Sequence, residues 1–318
     1  MSAPPRLRPR CSRRWPIGLV PAIFALACPG APPDDPPGPG SLEGPPLDGE
    51  FRPEDPRWKR VMTAESSDGL HWTPRGEALA HSASSPQLVR LDGDLRVYFV
   101  DHGRSIAWVP FDGGSVSPVS IQGLEGGLQV DPCIVPAVDG GLRMYLVHQV
   151  ADSDPGLAGK NRILSAHSDS GERWTLEPGV RIEGAWVDPD VVALPDGELR
   201  MYLTQSTREV ASARSDDGLD FRVEPGLRFE AGGVTSTFLT DQGWWMYFHE
   251  SGVLGRASSA NPERFDLPER LILAAPEGGQ WMLESPSVLM DGDRWLMTYV
   301  VAPTELGQVD WDVSPPSE

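Results

Sequence analysis

The chain has 318 residues, 39% of them hydrophobic, and a formal net charge of −19. That acidity argues against a nucleic-acid partner, which needs clustered Lys and Arg to neutralise phosphates. It also repels anionic lipid and anionic polysaccharide, so neutral partners are expected. No run of 18 apolar residues exists, and none reads as a membrane-spanning helix.

The chain opens with Arg6, Arg8, Arg10, Arg13 and Arg14, followed by an apolar run from Trp15 to Leu26 and then Ala27-Cys28. A basic start, a short apolar run and a small residue at the cut predict a secretory signal over residues 1–28. The Ala25-Leu26-Ala27-Cys28 stretch resembles a bacterial lipobox, although Ala25 stands where Leu is usual. The expectation is an exported protein, anchored to the cell envelope through a lipid on Cys28 or else secreted. Removing residues 1–27 takes away five arginines and no acid, which brings the charge near −24 (−19 minus 5). Residues 29–57 are rich in Pro, Gly and acids and predict an extended tether with nothing to bury. Of Cys11, Cys28 and Cys133, only the last lies beyond the tether. Cys133 is therefore expected as an inert buried thiol without a disulfide partner.

From residue 58 the chain repeats itself. An Asp-Gly turn recurs as Asp92-Gly93, Asp139-Gly140, Asp196-Gly197, Asp241-Gln242-Gly243 and Asp291-Gly292, each between apolar strands. Such turns favour φ > 0 and read as β-hairpins. A third strand follows around Ala64, Ala107, Ala166, Ala213 and Ala257. An outer turn then closes on an aromatic: Asp68-Gly69 with Trp72, Asp169-Ser170-Gly171 with Trp174, Asp217-Gly218 with Phe221, and a degraded Asn261 with Phe265. Asp112-Gly113 lacks the aromatic. Four short strands recurring at about 45–57 residues predict an all-β, five-bladed β-propeller over residues 58–303, with a tail over 304–318. Its first strand, Arg60–Ala64, belongs to the third-strand class, whereas the last unit ends after a hairpin at Trp295–Val301. The N-terminal outer strands should therefore join the C-terminal hairpin and close the ring, which removes exposed edges. Residues 151–162 form the longest insertion and are expected as a loop on the rim of the funnel.

Inner strands of a propeller start at one face and converge on its axis. Those starts are read as Ser84-Ser85-Pro86, Val130-Asp131-Pro132, Val187-Asp188-Pro189, Val234-Thr235-Ser236 and Glu284-Ser285-Pro286. Three of the five carry a carboxylate. Carboxylates gathered in one cavity raise one another's proton affinity, which suits glycoside hydrolysis by one protonated and one ionised acid.

The Asp-Pro starts, the Glu two residues before Pro286 and the Ser-x-Asp-Gly-x-x-Trp turns resemble the five-bladed glycosidases of families 43 and 32, which include arabinanases, xylosidases and fructosidases. The resemblance implies an acidic triad of an Asp base, a second orienting Asp and a Glu acid, with Asp131, Asp188 and Glu284 in matching positions. Ser85 stands where the family puts its first Asp. Blades lie 72° apart by symmetry. Strand starts about 4–5 Å from the axis would put Glu284 about 7.5–9.5 Å from both Asp residues, in the window for inversion. The expected roles are Glu284 as general acid, Asp131 as base and Asp188 as the tuning carboxylate.

A second ring of polar residues ends the second strands, at Asp101, His148, Gln205 and Glu250, with His249 adjacent; these suit sugar hydroxyls. Trp186 and Trp281 precede Asp188 and Glu284 and offer flat faces for sugar rings. No spacing supports a metal site, and no cofactor is expected. The reading is an exported, monomeric, glycoside hydrolase-like propeller that acts on neutral carbohydrate. The alternative is a non-catalytic glycan- or protein-binding propeller.

Overall fold

The computed structural model describes residues 56–149, 161–205, 209–273 and 281–304. The signal segment with Cys28, nearly all of the tether, almost the whole 151–162 insertion and the tail from residue 305 lie outside the described residues.

Five sheets form five blades, antiparallel throughout except where a two-residue strand from the preceding blade's connection adds in parallel at the outer edge of two of them. The inner strands, in blade order I to V, are Ala83–Leu91, Leu128–Pro136, Val187–Ala193, Gly233–Thr240 and Trp281–Asp291. Each is followed by its hairpin partner: Asp94–Asp101, Leu142–Gln149, Leu199–Gln205, Gly243–Glu250 and Arg294–Pro303. The Asp-Gly turns supply the sharp reversals. In blade I both Asp92 (φ 50°) and Gly93 (φ 92°) are left-handed, the requirement of a two-residue turn matched to strand twist.

Blade V closes the ring as expected. Its third strand, Arg60–Ser66, pairs antiparallel with Arg294–Pro303 in unbroken register, Ala64 opposite Met297, and its outer strand is His71–His81. The apolar core is divided into five clusters, each filling the wedge between neighbouring blades. One of these sets Met144, Leu146 and Trp174 of blade II against Val89, Leu91 and Tyr98 of blade I.

The outer-turn motif is what joins one blade to the next. In blade III Ser215 Oγ accepts the amides of Asp217 and Gly218, while the Asp217 carboxylate accepts those of Leu219 and Asp220. The tightened turn presents the Gly218 carbonyl to Tyr145 of blade II, whose hydroxyl donates to it at 2.9 Å. Phe221 meets the same tyrosine ring edge-on at 5.6 Å. Gly218 has no alternative, because its φ is +76° and a Cβ would lie 2.7 Å from the Tyr145 hydroxyl. The arrangement recurs from Tyr98 to Gly171 with Trp174, from Tyr202 to Pro262 with Phe265, and from Tyr247 to Gly69 with Trp72.

The seam from blade V to blade I is built differently. There Thr298 takes the tyrosine's register position, opposite Ser287 as Tyr98 is opposite Gln87, and the blade I turn at Asp112-Gly113 has no aromatic. The two losses belong together, since the tyrosine has nothing to hold without the turn. Ion pairs stand in their place, Arg90 with Asp291 at 2.6 Å and Arg75 with Asp112 at 3.1 Å.

Candidate functional site

Every inner strand carries a β-bulge at the same place, where the register slips between Ser84 and Gln87, Val130 and Cys133, Val187 and Asp190, Gly233 and Ser236, and Glu284 and Ser287. The first bulged residue is left-handed in all five blades: Ser85 (φ 45°), Asp131 (53°), Asp188 (50°), Val234 (51°) and Ser285 (50°). Five non-glycine residues held at φ > 0 are sterically unfavourable and persist because pairing on both sides fixes them. Each bulge turns three consecutive residues toward the axis. Those three positions from five blades line one axial cavity of about 60 Å³, room for a water or two.

This register corrects one alignment of the sequence reading, that of blade IV, and keeps that of blade V. Blade IV enters as Gly233-Val234-Thr235, so Val234, not Thr235, is the counterpart of Asp131 and Asp188. In blade V the counterpart is Ser285, and Glu284 sits one residue earlier, opposite Val300. Only the two Asp residues are therefore symmetry-equivalent, and the assumption of equal distances from the axis does not hold for Glu284.

Asp131 and Asp188 both point into the cavity and interact directly. The Asp131 carboxylate accepts the Ser85 hydroxyl at 2.8 Å and the Asp188 amide. Burial raises the proton affinity of both. For Asp131 the rise is opposed by those two hydrogen bonds and by the Lys59 charge. For Asp188 the negative charge of Asp131 adds to the burial, with a smaller push from Glu284 and a counter-pull from Lys59, so its carboxyl is held well above the usual range. Such a pair is built to share one proton, with Asp188 the better holder. Glu284 stands at the edge of this group, and its carboxylate accepts Lys59 Nζ at 2.7 Å.

Deeper in the cavity lies a ring that sequence reading missed. The side chain two positions after each left-handed residue accepts an amide from the next blade: Gln87 from Ile134 (2.5 Å), Cys133 Sγ from Val191 (3.3 Å), Asp190 from Thr237, Ser236 from Val288 (3.1 Å) and Ser287 from Leu88 (2.9 Å). The innermost strand has no strand on its axial side, so its inward amides need side-chain acceptors. Polar residues at every second-after-bulge position were the available signal. Asp190 also accepts Thr235 Oγ1 at 2.9 Å, and burial pushes its carboxyl up to about 7. Cys133 is the buried, unbridged thiol that was expected, with burial raising it far above the ordinary thiol range.

The other residues singled out lie around the rim. His148 is buried, its Nε2 3.1 Å from the Gly126 carbonyl, and Gly126-Gly127 covers it. His249 Nδ1 accepts the Ser285 amide at 3.1 Å, which brings it beside Glu284; burial lowers its proton affinity and Glu284 partly restores it. Asp101 is turned to His102 at 2.7 Å, Gln205 is exposed and Glu250 is half-buried at its strand end. Trp186 and Trp281 are half-buried against the apolar clusters between blades II and III and between blades IV and V. None of these seven lines the axial cavity.

No protein-family model matches the chain, and no curated protein matches it in sequence. Solved structures do resemble it. The GH43_1 enzyme from Xanthomonas citri complexed with xylose aligns over 70% of this chain and 86% of its own, at 16% identity and a TM-score of 0.50. The α-L-arabinofuranosidase CtGH43 from Clostridium thermocellum aligns over 69% and 81%, at 17% identity and 0.50. The GH43 protein BlXynB from Bacillus licheniformis aligns over 71% of this chain and 50% of its own, at 14% identity and 0.54. The bulged inner strands, the five wedges of core and these likenesses agree on one architecture, and the chain has the five-bladed β-propeller fold seen in family 43 glycoside hydrolases.

Proposed function

We propose that this protein is an exported glycoside hydrolase-like propeller that acts on neutral glycans at the face where the inner strands begin. The observation that carries the reading is the Asp131–Asp188 pair, two half-buried carboxylates on neighbouring blades that line one axial cavity, with raised proton affinity and a third carboxylate, Glu284, within range of their field. In this reading Asp131, held ionised by Ser85 and the Asp188 amide, takes a proton from the water that attacks the anomeric carbon. Glu284 gives a proton to the departing glycosidic oxygen as the carbon–oxygen bond breaks, and Asp188 tunes both. Inversion follows, because water attacks from the face opposite the leaving group. In this reading sugar hydroxyls meet the rim residues Asp101, Gln205, His249 and Glu250, while His148, Trp186 and Trp281 support that rim from beneath.

The test is hydrolysis of aryl arabinosides, aryl xylosides and fructans by the mature chain, with Glu284→Gln and Asp131→Asn as controls. Activity that survives both substitutions overturns the assignment, and an NMR record of a product that retains its anomeric configuration overturns inversion. A second reading, a non-catalytic glycan-binding propeller, is favoured by the Lys59–Glu284 pair, which occupies the oxygen an acid would offer the leaving group. Glycan-array binding with no hydrolysis would select it. Export with a lipid on Cys28 is part of the proposal; labelled fatty acid that is still incorporated after Cys28→Ser would overturn that part.

A further inference from the structure

The charge that faces the carboxylates comes from an unexpected place. Lys59 precedes the third strand of blade V, just after the short 3-10 turn Pro56–Trp58. Its backbone is fixed on both sides: its amide donates to the Pro56 carbonyl at 3.0 Å, and its carbonyl accepts the Ala83 amide, at the head of blade I's inner strand, at 3.3 Å. Trp58 beside it is buried. The side chain reaches inward across the head of blade V, past its second strand, and places Nζ 2.7 Å from Glu284 on the inner strand of the same blade, with both side chains about one-fifth exposed (18% and 19%). The charged and titratable groups that face it are Glu284 and His249 from blades V and IV, and Asp131 and Asp188 from blades II and III. Among these it is the ammonium group, set against three carboxylates and a half-buried imidazole.

We infer that Lys59 is a positioning residue of this site, which fixes the Glu284 carboxylate at the edge of the funnel and supplies the counter-charge to the Asp131–Asp188 pair. The inference deepens the proposed function and rests on it only for its catalytic consequence. Without the ammonium, three carboxylates converge with no counter-charge, and the like-charge repulsion is relieved by taking up protons. With it, Glu284 has a fixed orientation and the aspartate pair keeps a single proton between its members. In the hydrolase reading the ion pair opens as the sugar enters, so that Glu284 can take up the proton it then gives to the leaving oxygen.

The experiment is a carboxyl ¹³C NMR titration of the full chain and of its Lys59→Met and Lys59→Arg variants, with the aspartate signals assigned through Asp131→Asn and Asp188→Asn. Lys59→Met should move the coupled aspartate titration upward by about one pH unit or more, and Lys59→Arg should bring most of it back. An unchanged titration in folded Lys59→Met overturns the inference. If Lys59→Met does not fold, Glu284→Gln reports the same coupling from the other side: the Asp188 titration should fall, and no movement overturns the inference. Hydrolysis is read separately. A titration that shifts in a protein without hydrolytic activity retains Lys59 and removes the hydrolase, whereas hydrolysis with an unshifted titration does the reverse.

Discussion

Tyr145 of blade II donates its hydroxyl to the carbonyl of Gly218, 73 residues later in blade III, at a distance of 2.9 Å. The pair shows why the outer turn repeats with its strand: the serine, aspartate and glycine shape a carbonyl for a tyrosine in the preceding blade. Tyr145→Phe leaves that buried carbonyl unpaired, at a cost of about 1–3 kcal/mol. The expected drop in Tm is about 2–4 °C per kcal/mol for a domain of this size, measured by calorimetry. An unchanged Tm would mean that the hydroxyl contact does not hold the seam.

Asp190 gives a pH dependence with a definite sign. Its carboxyl is raised to about 7 by burial, above the value of an unfolded chain, so its contribution is fully favourable below about pH 4 and is lost as pH rises through 7. Asp190→Asn removes this dependence. The difference in unfolding free energy, variant minus parent, should therefore grow between pH 4 and pH 8, by an amount on the order of a few kcal/mol at most, read from urea midpoints across that range. A difference that is flat with pH would show that the carboxyl titrates at its ordinary value.

Cys133 should be chemically silent while the ring is closed. Its thiol is buried, raised in proton affinity and engaged with the Val191 amide. In a background without Cys11 and Cys28, a disulfide reagent should label it only after denaturant is added. Cys133→Val, which removes the acceptor, should destabilise by about 1–3 kcal/mol, while Cys133→Ser should do so less. Rapid labelling of the native protein would contradict the burial.

Val234 is a β-branched residue at φ 51°, the least comfortable of the five left-handed positions. Its amide is held by Thr204 Oγ1 at 3.0 Å, so the bulge forms in spite of the side chain. Asn tolerates this conformation, and Val234→Asn should stabilise the fold by about 1 kcal/mol, read as a shift in urea midpoint at constant slope. Destabilisation would mean that the valine side chain contributes more by packing than the backbone loses in strain.

The blades, their number and the closure of the ring were legible in the sequence because they rest on local chemistry. An Asp-Gly pair bends the chain wherever it stands, and Arg60–Ala64 could be recognised as a third strand without its partners. The Asp-Pro starts of blades II and III were legible for the same reason. What only the tertiary structure decided concerns contacts between blades some fifty residues apart. The bulge in blade IV falls on Val234 and not on Thr235, and Asp190 and Cys133 belong to a ring whose partners are amides of the next blade. Within blade V, which the two ends of the chain build together, Lys59 meets Glu284 across 225 residues of chain. Strand register and electrostatic coupling depend on distance in space, and a linear repeat carries the order of the blades but not which atoms of each blade meet at the axis.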